Sequence, residues 1–424
     1  MRSALRRAPW TFCRAYLRLL PRRPSERARP CAPLLEVADI FRQIGPTYRD
    51  EHADALTGGQ RRAMRAIETC RTATLGGHLE QCDACGHQRI AFNSCRDRHC
   101  PKCQSLVRAQ WLHDRKAQLL PLQYFHVVFT VPQQIAVLAF QNKATVYAIL
   151  FRAAAETLRL IAADPKHLGA QIGFIAILHT WGQNLLHHPH LHCVVPGGGV
   201  SPDGERWIGC RPGFFLPVRV LSRLFRRLFL AMLREAYVGE QLRFVNTLAS
   251  LTDPNAFARY LEPAARVEWV VYAKAPFGGP EQVLEYLGRY THRVAISNNR
   301  LLEFEEGHIT FRWKDYRHES RVKVMRLDAA EFVRRFLLHV LPSGFQRIRH
   351  YGLQANRTRQ LKLAQCRRLL QAPAPASPDE PTDYRDRYQR LTGVSLRACP
   401  ACAGGQMIRW LTLLATTLPR GPPR

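Results

Sequence analysis

Hydrophobic and polar residues alternate along several short stretches, the pattern of strands that bury one face. In residues 124–131 every second side chain is large and apolar, and Pro132 ends the run. The same alternation predicts strands over residues 172–181 and 188–195, and a further strand over residues 267–273. A Pro-Gly-Gly-Gly turn signal follows the third of these strands directly.

Other parts of the chain carry hydrophobic residues at helical spacing. A hairpin is predicted in residues 294–315, because strand-like residues flank the turn Glu305-Glu306-Gly307. This mixture of helices and antiparallel hairpins predicts the α+β fold class. Helices are predicted over residues 34–68 with a break at Gly45-Pro46, over residues 132–163, 216–260 and 280–292, and over the basic residues 346–370.

Shifts in composition divide the chain into segments. The Arg-rich residues 1–33 are expected to form a disordered basic arm, although a transit peptide or a start codon assigned too early would explain them too. Residues 371–382 are rich in Pro and Ala and are predicted as a linker. The other predicted segments are a helical lead-in with a zinc-binding domain (34–105), a larger α+β domain with a helical insertion (106–345, insertion about 212–262), a basic helical segment (346–370) and a C-terminal tail (383–424).

The chain is strongly basic. Its 424 residues include 62 Lys and Arg but 33 Asp and Glu, a net charge of +29, while 46% of the residues are hydrophobic as in a globular protein. A polyanion such as nucleic acid is therefore the expected partner. We expect no membrane partner, because polar residues interrupt the longest uncharged stretches, and no ATP hydrolysis, because no phosphate-binding loop motif occurs.

Cysteines are concentrated near the N-terminal end. Residues 69–104 hold six cysteines and three histidines in 36 positions, and this density predicts zinc in a reducing compartment such as the cytoplasm. The two C-x-x-C pairs, Cys82 with Cys85 and Cys100 with Cys103, form the first predicted ligand set. A second set, which would bind a second ion, consists of Cys70, His78, Cys95 and His99.

Several alternatives stay open for these residues. Cys70 can instead be a core thiol, with His78 and His99 as surface histidines. His87, which follows a glycine in a turn, is not expected to be a ligand. The pair Cys399 and Cys402 in the tail is either half of a zinc site completed by distant ligands or two free thiols, and the second interpretation is favoured. Cys366 is expected to pack within a helix.

A histidine pair lies on the third predicted strand. His190 and His192 share one face of the strand, while Leu191 and Cys193 point into the core. Two imidazoles one strand repeat apart can hold a divalent ion and leave positions for a substrate. An H-x-H pattern alone is a weak signal, because most such histidines are ordinary surface or core residues.

Two tyrosines follow on a predicted helix. Tyr286 and Tyr290 lie one turn apart on one face, usually the arrangement of a packing pair. Here, however, Gly288, Arg289 and Arg293 flank them. A tyrosine can attack a phosphodiester if a metal on the histidine pair polarises the phosphate, since its own pKa of about 10 must be offset. The resulting phosphotyrosine conserves the bond energy, so rejoining needs no nucleotide.

These motifs occur together in one order along the chain, which is more specific than any one motif alone. The chain carries SCRDRHCPKCQ, FHVVFTVP, HPHLH before PGGG, YLGRYTHR and RIRHYGLQANR, and over residues 34–370 it resembles the two-tyrosine rolling-circle transposases. These are HUH endonucleases (histidine, hydrophobic, histidine) of the insertion-sequence ninety-one type, with an N-terminal transposase zinc-binding domain. The resemblance implies a zinc-ribbon-like module, then an HUH core whose central strand bears the histidines, with the tyrosine helix packed across the sheet.

The resemblance also implies roles for particular residues. His190 and His192 would bind catalytic Mg²⁺ or Mn²⁺, and Tyr286 and Tyr290 would be the nucleophiles that become linked to a DNA 5′ end. For the third metal ligand, Gln183 is the first candidate, followed by His179 and His292, whereas His188 would lie near the ion without binding it.

The implied partner is single-stranded DNA at element ends and targets, in the bacterial cytoplasm near the nucleoid. The basic residues expected to contact it are Arg96, Arg98, Lys102, Arg289, Arg293, Arg347, Arg349 and Arg357. The alternatives are a rolling-circle replication initiator and a zinc-dependent DNA-binding protein without catalysis, whose tyrosines stack on bases. A relaxase is disfavoured, because its tyrosines usually precede the histidines, and an acidic-triad transposase would leave both pairs unexplained.

Overall fold

The computed structural model describes residues 35–116, 118–274, 282, 288, 295–315, 321–373, 383–402 and 404–415, without the side chains of residues 105 and 106. Its α-helices are α1 (Val37–Glu51), α2 (Gly58–Thr69), α3 (Gln104–Lys116), α4 (Gln133–Gln141), α5 (Lys143–Ala163), α6 (Val218–Val238), α7 (Pro254–Arg266), α8 (Ala329–Leu338), α9 (Arg359–Leu369) and α10 (Tyr384–Thr392). Its strands are β1 (Gly77–Cys82), β2 (Gln88–Phe92), β3 (Tyr124–Thr130), β4 (Gly173–Trp181), β5 (His187–Pro196), β6 (Gly198–Val200), β7 (Trp207–Gly209), β8 (Val271–Lys274), β9 (Leu301–Glu305), β10 (His308–Asp315), β11 (Arg321–Asp328), β12 (Ile348–Gly352) and β13 (Met407–Leu413). The predicted α+β class is confirmed.

The largest sheet has five strands in the order β12-β4-β5-β3-β8, and every neighbouring pair is antiparallel. The predicted strands that carry the alternating pattern are all present, and β5 is the central one. On β5, Leu191, Cys193 and Val195 point into the main core. Helices α4 to α7 supply the apolar side chains that cover this face.

The opposite face of the same sheet has a smaller apolar cluster. Tyr124, Ile175, Ile177 and Val194 are buried there, and the partly buried side chains of α3, including Leu112, pack against them. Because side chains alternate along each strand, this is also the face that carries His190 and His192. The smaller cluster and the histidines therefore share one surface of the sheet, and α3 covers the apolar part of it.

A second sheet joins the two ends of the described chain. Strand β1 pairs with β2 on one side and with β13 on the other, in the order β13-β1-β2. The register places Cys82 opposite Met407 and Gly77 opposite Leu413. The sequence predicted residues 383–424 as a tail beyond a linker, but in the structure this segment supplies an edge strand of the N-terminal cysteine module. The pairing joins residues far apart in sequence, so no local pattern signals it.

The hairpin predicted in residues 294–315 is present as β9 and β10, which begin at Leu301, with β11 beside them. This third sheet shares a core with α1, α2 and α8. Helix α1 does not break at Gly45-Pro46 as the sequence suggested, but continues to Glu51. Gly45 packs so closely on α2 that a Cβ would collide with Glu68, and Phe41 and Tyr48 are buried on either side of the proline. Tertiary packing thus holds the helix together across Pro46.

The basic segment 346–370 is not wholly helical. Its first part forms β12, which pairs with β4 and places Ile348 opposite Ile177, and only residues 359–369 form a helix, α9. Tyr351 stacks on Phe174 of β4, with ring centroids 5.0 Å apart. Residues 348–352 therefore form a strand despite their helical propensity, because pairing with the edge of the sheet satisfies their backbone groups. Among the helices of the described residues, none is long and apolar enough to cross a membrane.

Two glycines with positive φ, Gly344 and Gly352, allow the cost of left-handed backbone to be measured apart from the cost of a steric collision. Gly352 ends β12 at φ +55°, and a Cβ there would collide with the carbonyl oxygen of Ile172, whereas Gly344 has φ +72° with nothing within 4 Å. We expect Gly344→Ala to lower the free energy of unfolding by about 1–2 kcal/mol, the penalty of left-handed backbone. Gly352→Ala should cost clearly more, as measured by urea denaturation. Equal losses for the two variants would contradict the close approach of β12 to β4.

Candidate active site and cysteine clusters

Three histidines meet on the face of the central sheet that lies opposite the main core. His179 on β4 lies directly opposite His190 on β5, and His192 follows two residues later on the same face. The ligand nitrogens of the three lie within 4.8 Å of one another. The ring centroids of His179 and His192 are 4.2 Å apart. Three imidazoles at this separation form a donor set suited to one divalent transition-type ion with positions open for substrate.

Hydrogen bonds orient the ring of His190. Its Nδ1 lies 2.7 Å from the backbone carbonyl oxygen of His188. Because a carbonyl oxygen only accepts, Nδ1 must carry the proton, which leaves the lone pair of Nε2 available for a metal. His188 thus supports the site through its backbone, and it is not among the three clustered histidines.

His126 is a supporting residue that the sequence did not single out. It lies on β3, and its Nε2 is 2.7 Å from Nδ1 of His192 while the two rings stack with centroids 4.9 Å apart. The contact fixes the orientation of the His192 ring. The available signal was its position two residues after Tyr124 on the same face of a predicted strand.

Burial holds these rings neutral. Desolvation lowers the pKa of His190 to about 4 and that of His126 to about 4, and it lowers the pKa of His192 well below its usual value. A neutral imidazole keeps the lone pair that a metal ion requires. At neutral pH the cluster is therefore in the protonation state of a metal-binding site.

The structure favours a different third ligand from the first candidate of the sequence. His179, the second candidate, completes the cluster, because β4 pairs with β5 in the register that sets it opposite His190. Gln183 lies beyond the end of β4, in the turn to β5, where its carbonyl oxygen accepts a hydrogen bond from Arg300. The third candidate, His292, lies outside the described residues.

The proposed nucleophiles also lie outside the described residues, as do Arg289 and Arg293. Gly288, between Tyr286 and Tyr290, is described: it is helical and buried, and a Cβ there would collide with the side chain of Leu112. Leu112 in turn packs on the histidine-bearing face of the sheet. Gly288 itself is therefore in contact with α3, the helix that packs on that face.

One cysteine quartet lies at the base of the β1–β2 hairpin. Cys70, Cys95, Cys100 and Cys103 have sulfur atoms within 4.8 Å of one another. Sulfur–sulfur distances of 3.5 Å join Cys103 to both Cys70 and Cys95. Four thiols in this arrangement are the ligand set of a closed structural zinc site. Cys70, for which a core thiol was the alternative, is a member of it.

The other C-x-x-C pair does not join Cys100 and Cys103, contrary to the first predicted ligand set. Cys82 and Cys85 lie at the tip of the hairpin and meet Cys399 and Cys402 of the tail. The reason is distance: the extended residues 77–82 separate base from tip by roughly 17 Å, too far for one ion to be shared. The interpretation of the tail cysteines as two free thiols was favoured from the sequence, but their clustering with Cys82 and Cys85 supports the other one, half of a site completed by distant ligands.

Neither predicted histidine ligand belongs to a quartet among the described residues. Nε2 of His78 lies 3.2 Å from Glu80 on its own strand. Nδ1 of His99 lies 3.1 Å from Asp97, and its Nε2 accepts a hydrogen bond from the backbone N–H of Leu341. Both imidazoles already have other partners, so the mixed cysteine and histidine set is corrected to an all-cysteine one.

Six of the eight basic residues predicted to contact DNA are described, and four of these six are buried or have contacts within the protein. Arg98 donates to the carbonyl oxygens of Phe345 at 2.6 Å and Pro342 at 3.0 Å, and Lys102 forms an ion pair with Glu36. Burial lowers the pKa of Arg347 to about 10. The guanidinium of Arg349 lies over the ring of Phe151, 4.3 Å from its centroid. Arg96 and Arg357 are exposed.

A groove of about 1160 Å³ runs between the cysteine module and the tail. Its walls include both basic and aromatic side chains, a composition found in surfaces that bind single-stranded nucleic acid. Arg96, one of the predicted DNA contacts, is exposed and lines this groove. The lining includes Arg71, Arg89, Phe92, Arg96, Lys102, Tyr384, Tyr388 and Arg409.

Comparison with known proteins identifies the family. The family model described as "Putative transposase" matches residues 173–362, and the one described as "Transposase zinc-binding domain" matches residues 40–131. The chain is 67% identical over 391 residues to "Putative transposase y4qJ" of Sinorhizobium fredii (strain NBRC 101917 / NGR234), covering 92% of this chain and 97% of the relative. It is 29% identical over 294 residues to "Transposase for insertion sequence element IS801" of Pseudomonas savastanoi pv. phaseolicola, 68% of each chain.

No solved structure matches the chain. The sheet with its histidine cluster, the cysteine module and the two family matches together define a transposase. More particularly, the chain belongs to the transposase family that carries the zinc-binding domain of the insertion-sequence ninety-one type. The resemblance noted from the sequence motifs is confirmed.

The identity of the third metal ligand can be tested by Mn²⁺ binding. In zinc-loaded protein, His179→Ala should weaken Mn²⁺ affinity by more than about tenfold, since even the loss of a supporting partner has that effect. Gln183→Ala and the exposed-residue control His167→Ala should bind like the wild type. The measurement is free Mn²⁺ by electron paramagnetic resonance. A loss of affinity in Gln183→Ala with normal affinity in His179→Ala would reverse the assignment.

Proposed function

We propose that this transposase nicks and rejoins single-stranded DNA by tyrosine attack, with transient attachment of a DNA 5′ end to Tyr286 or Tyr290. The observation that carries the proposal is the histidine cluster on β4 and β5, together with the contact of Gly288 with Leu112 of α3. Gly288 lies two residues from each tyrosine. The proposed nucleophiles are therefore close in sequence to a residue that contacts α3, the helix packed on the histidine face.

The residues that would hold the divalent ion are His179, His190 and His192, and they fit it because all three present closely spaced nitrogens on one face. When bound, Mg²⁺ or Mn²⁺ would polarise the scissile phosphate. Three nitrogen donors suit Mn²⁺ better than Mg²⁺, which prefers oxygen ligands. His126 and the backbone of His188 keep two of the rings oriented before substrate arrives.

The covalent step exchanges one phosphodiester bond for another. The phenol oxygen of a tyrosine bonds to phosphorus, the bond from phosphorus to the 3′ oxygen breaks, and the phenol proton leaves as the 3′ oxygen becomes a hydroxyl. Rejoining is the reverse attack by a 3′ hydroxyl. Because the bond energy is retained, the reaction requires no nucleotide, in agreement with the lack of a phosphate-loop motif. Two tyrosines would let one hold the first end while the other cleaves the second.

The cysteine module would act as a DNA-binding platform. We propose that Cys70, Cys95, Cys100 and Cys103 hold the structural zinc of this domain, since their sulfurs are already clustered. The zinc would fix the loop that carries Arg96, which lines the basic groove. Bases of a single strand can stack on the aromatic side chains there while the arginines neutralise phosphates.

The tyrosine assignment is tested by trapping the covalent adduct. Wild-type protein, incubated with Mn²⁺ and single-stranded oligonucleotides from the DNA flanking its coding sequence, should form a protein–DNA adduct that survives denaturing electrophoresis. Tyr286→Phe combined with Tyr290→Phe should abolish it, because no phenol oxygen remains to attack. The control is Tyr272→Phe, since Tyr272 on β8 is exposed and shares the histidine face, opposite Val128.

The outcomes separate the alternatives. An adduct that survives the double change but is lost in Tyr272→Phe would move the nucleophile to β8. Binding of the oligonucleotides without any adduct would favour the non-catalytic DNA-binding protein. Adducts that form at a replication origin but not at the flanking DNA would favour a replication initiator.

The contact between Gly288 and α3 gives a second test. Gly288→Ala adds a methyl group where the Leu112 side chain lies, so it should displace the tyrosine helix and reduce the rate of adduct formation at least tenfold, or about 1.4 kcal/mol. Leu112→Ala in the same chain removes the obstacle and should restore most of the rate. The measurement is the single-turnover rate of adduct formation. No rescue by Leu112→Ala would contradict the packing of this helix on α3.

A further inference from the structure

Four cysteines converge from opposite ends of the chain at the tip of the β1–β2 hairpin. Cys82 meets Cys402 across a sequence separation of 320 residues, and Cys85 meets Cys399 across 314. Cys399 and Cys402 lie outside both segments matched by the family models. The cluster is therefore distinct from the histidine site and from the quartet at the base of the hairpin.

The spacing of the sulfur atoms fits a tetrahedral metal ion. The sulfurs of Cys82 and Cys402 are 3.6 Å apart and those of Cys85 and Cys399 are 3.8 Å apart. Four thiolates bound to zinc at about 2.3 Å lie about 3.8 Å from one another. A disulfide would need a separation of about 2.05 Å. The four side chains thus already have the arrangement that zinc requires.

The backbone on both sides supports the sulfur atoms in the same way. The N–H of Cys85 points to the sulfur of Cys82 at 3.5 Å, and the N–H of Ala401 points to the sulfur of Cys399 at 3.3 Å. In each C-x-x-C turn the first sulfur therefore accepts a backbone N–H from its own turn. Such hydrogen bonds stabilise a thiolate and orient it towards a metal.

The two turns also fit each other closely. Asp83 and Gln406 exchange two hydrogen bonds, from the N–H of Asp83 to the carbonyl of Gln406 at 3.0 Å and from the N–H of Gln406 to the carboxylate at 2.7 Å. Gly405 lies against the sulfurs: a Cβ there would collide with Cys82 and lie 3.0 Å from the sulfur of Cys402. This position tolerates no side chain while the cluster is closed.

Hydrophobic burial gives the tail little hold on the hairpin. Along β13 only Met407 is buried, and Ile408, Trp410 and Leu411 are each more than half exposed. The apolar cluster between the two segments consists of Met407 and cysteine side chains. A strand that buries so little apolar surface needs another source of stability, since ordering the chain is unfavourable.

We propose that Cys82, Cys85, Cys399 and Cys402 bind a second structural zinc ion, which fastens the C-terminal segment 383–415 to the β1–β2 hairpin. This ion closes one wall of the basic groove, because Tyr384, Tyr388 and Arg409 of that segment line it. The chain would then carry two tetrathiolate zinc ions, one at each end of the hairpin. The inference is independent of the tyrosine mechanism.

Metal content tests the proposal directly. Full-length protein purified without chelator should contain two tightly bound zinc ions per chain, by elemental analysis and native mass spectrometry. Cys399→Ser with Cys402→Ser should contain one, while the control Cys210→Ser, whose cysteine belongs to neither quartet, should keep two. Two ions retained in the double variant, or one in the folded wild type, would overturn the proposal.

Alkylation of the unmodified wild type gives a readout that needs no variant to fold. Cys85 is exposed, so burial alone does not protect it. If zinc binds, Cys85 should resist iodoacetamide until a chelator is added, and it should then become reactive together with Cys399 and Cys402. Immediate alkylation of Cys85 in protein that has not met chelator would overturn the proposal.

Adjacent glycines provide a matched pair of variants. Gly405→Ala places a methyl group against two of the sulfurs, whereas a Cβ at Gly404 meets nothing within 4 Å. We expect Gly405→Ala to release one zinc ion to a competing chelator at least tenfold faster than the wild type, and Gly404→Ala to behave like the wild type. Equal release from the two variants would count against a metal at this cluster.

Discussion

Side chains of the central strand β5 alternate between the two faces of the sheet, and the histidine cluster depends on this alternation. Leu191 and Cys193 are buried in the main core, so the residues between them must face the other side of the sheet. A register slip of one residue would bury His190 and His192 in hydrocarbon and expose the core side chains. Because hydrophobic burial fixes the register so firmly, the imidazoles are oriented without any contribution from a bound ion. Packing of the helices on one face of the sheet thus fixes which residues, His190 and His192 among them, lie on the other face.

Neighbouring strands convert this geometry into a site. His179 enters only because β4 pairs antiparallel with β5 in a particular register, and His126 reaches His192 from β3 on the other side. Desolvation of the cluster keeps the buried rings neutral, and hydrogen bonds select the ring nitrogen that remains available. The proposed metal site therefore depends on three strands, and Gly288, which lies between the two proposed nucleophiles in the sequence, contacts α3.

The cysteine module is not held together by a large apolar core, because the cluster at its tip consists of Met407 and cysteine side chains. The hairpin holds one quartet at its base and the other at its tip, and the tip is completed by the far end of the chain. A short sheet with little buried apolar surface needs another source of stability, and zinc–sulfur bonds at the two quartets would supply it. The same arrangement brings aromatic residues of α10 to the groove that Arg96 lines. The proposed zinc ion at the tip would therefore couple the position of the tail to the shape of the basic groove.

The sequence alone determined the α+β class, the strands β3 to β5, the histidine pair and the zinc-binding character of the module, because short-range periodicity and ligand spacing are local properties. It did not determine how the cysteines divide, the third histidine, the role of His126 or the strand at residues 348–352. Each of these depends on which distant segments pair, and a single sequence carries no direct record of that. Only the tertiary structure, through strand register and the length of one hairpin, decided which ligands meet.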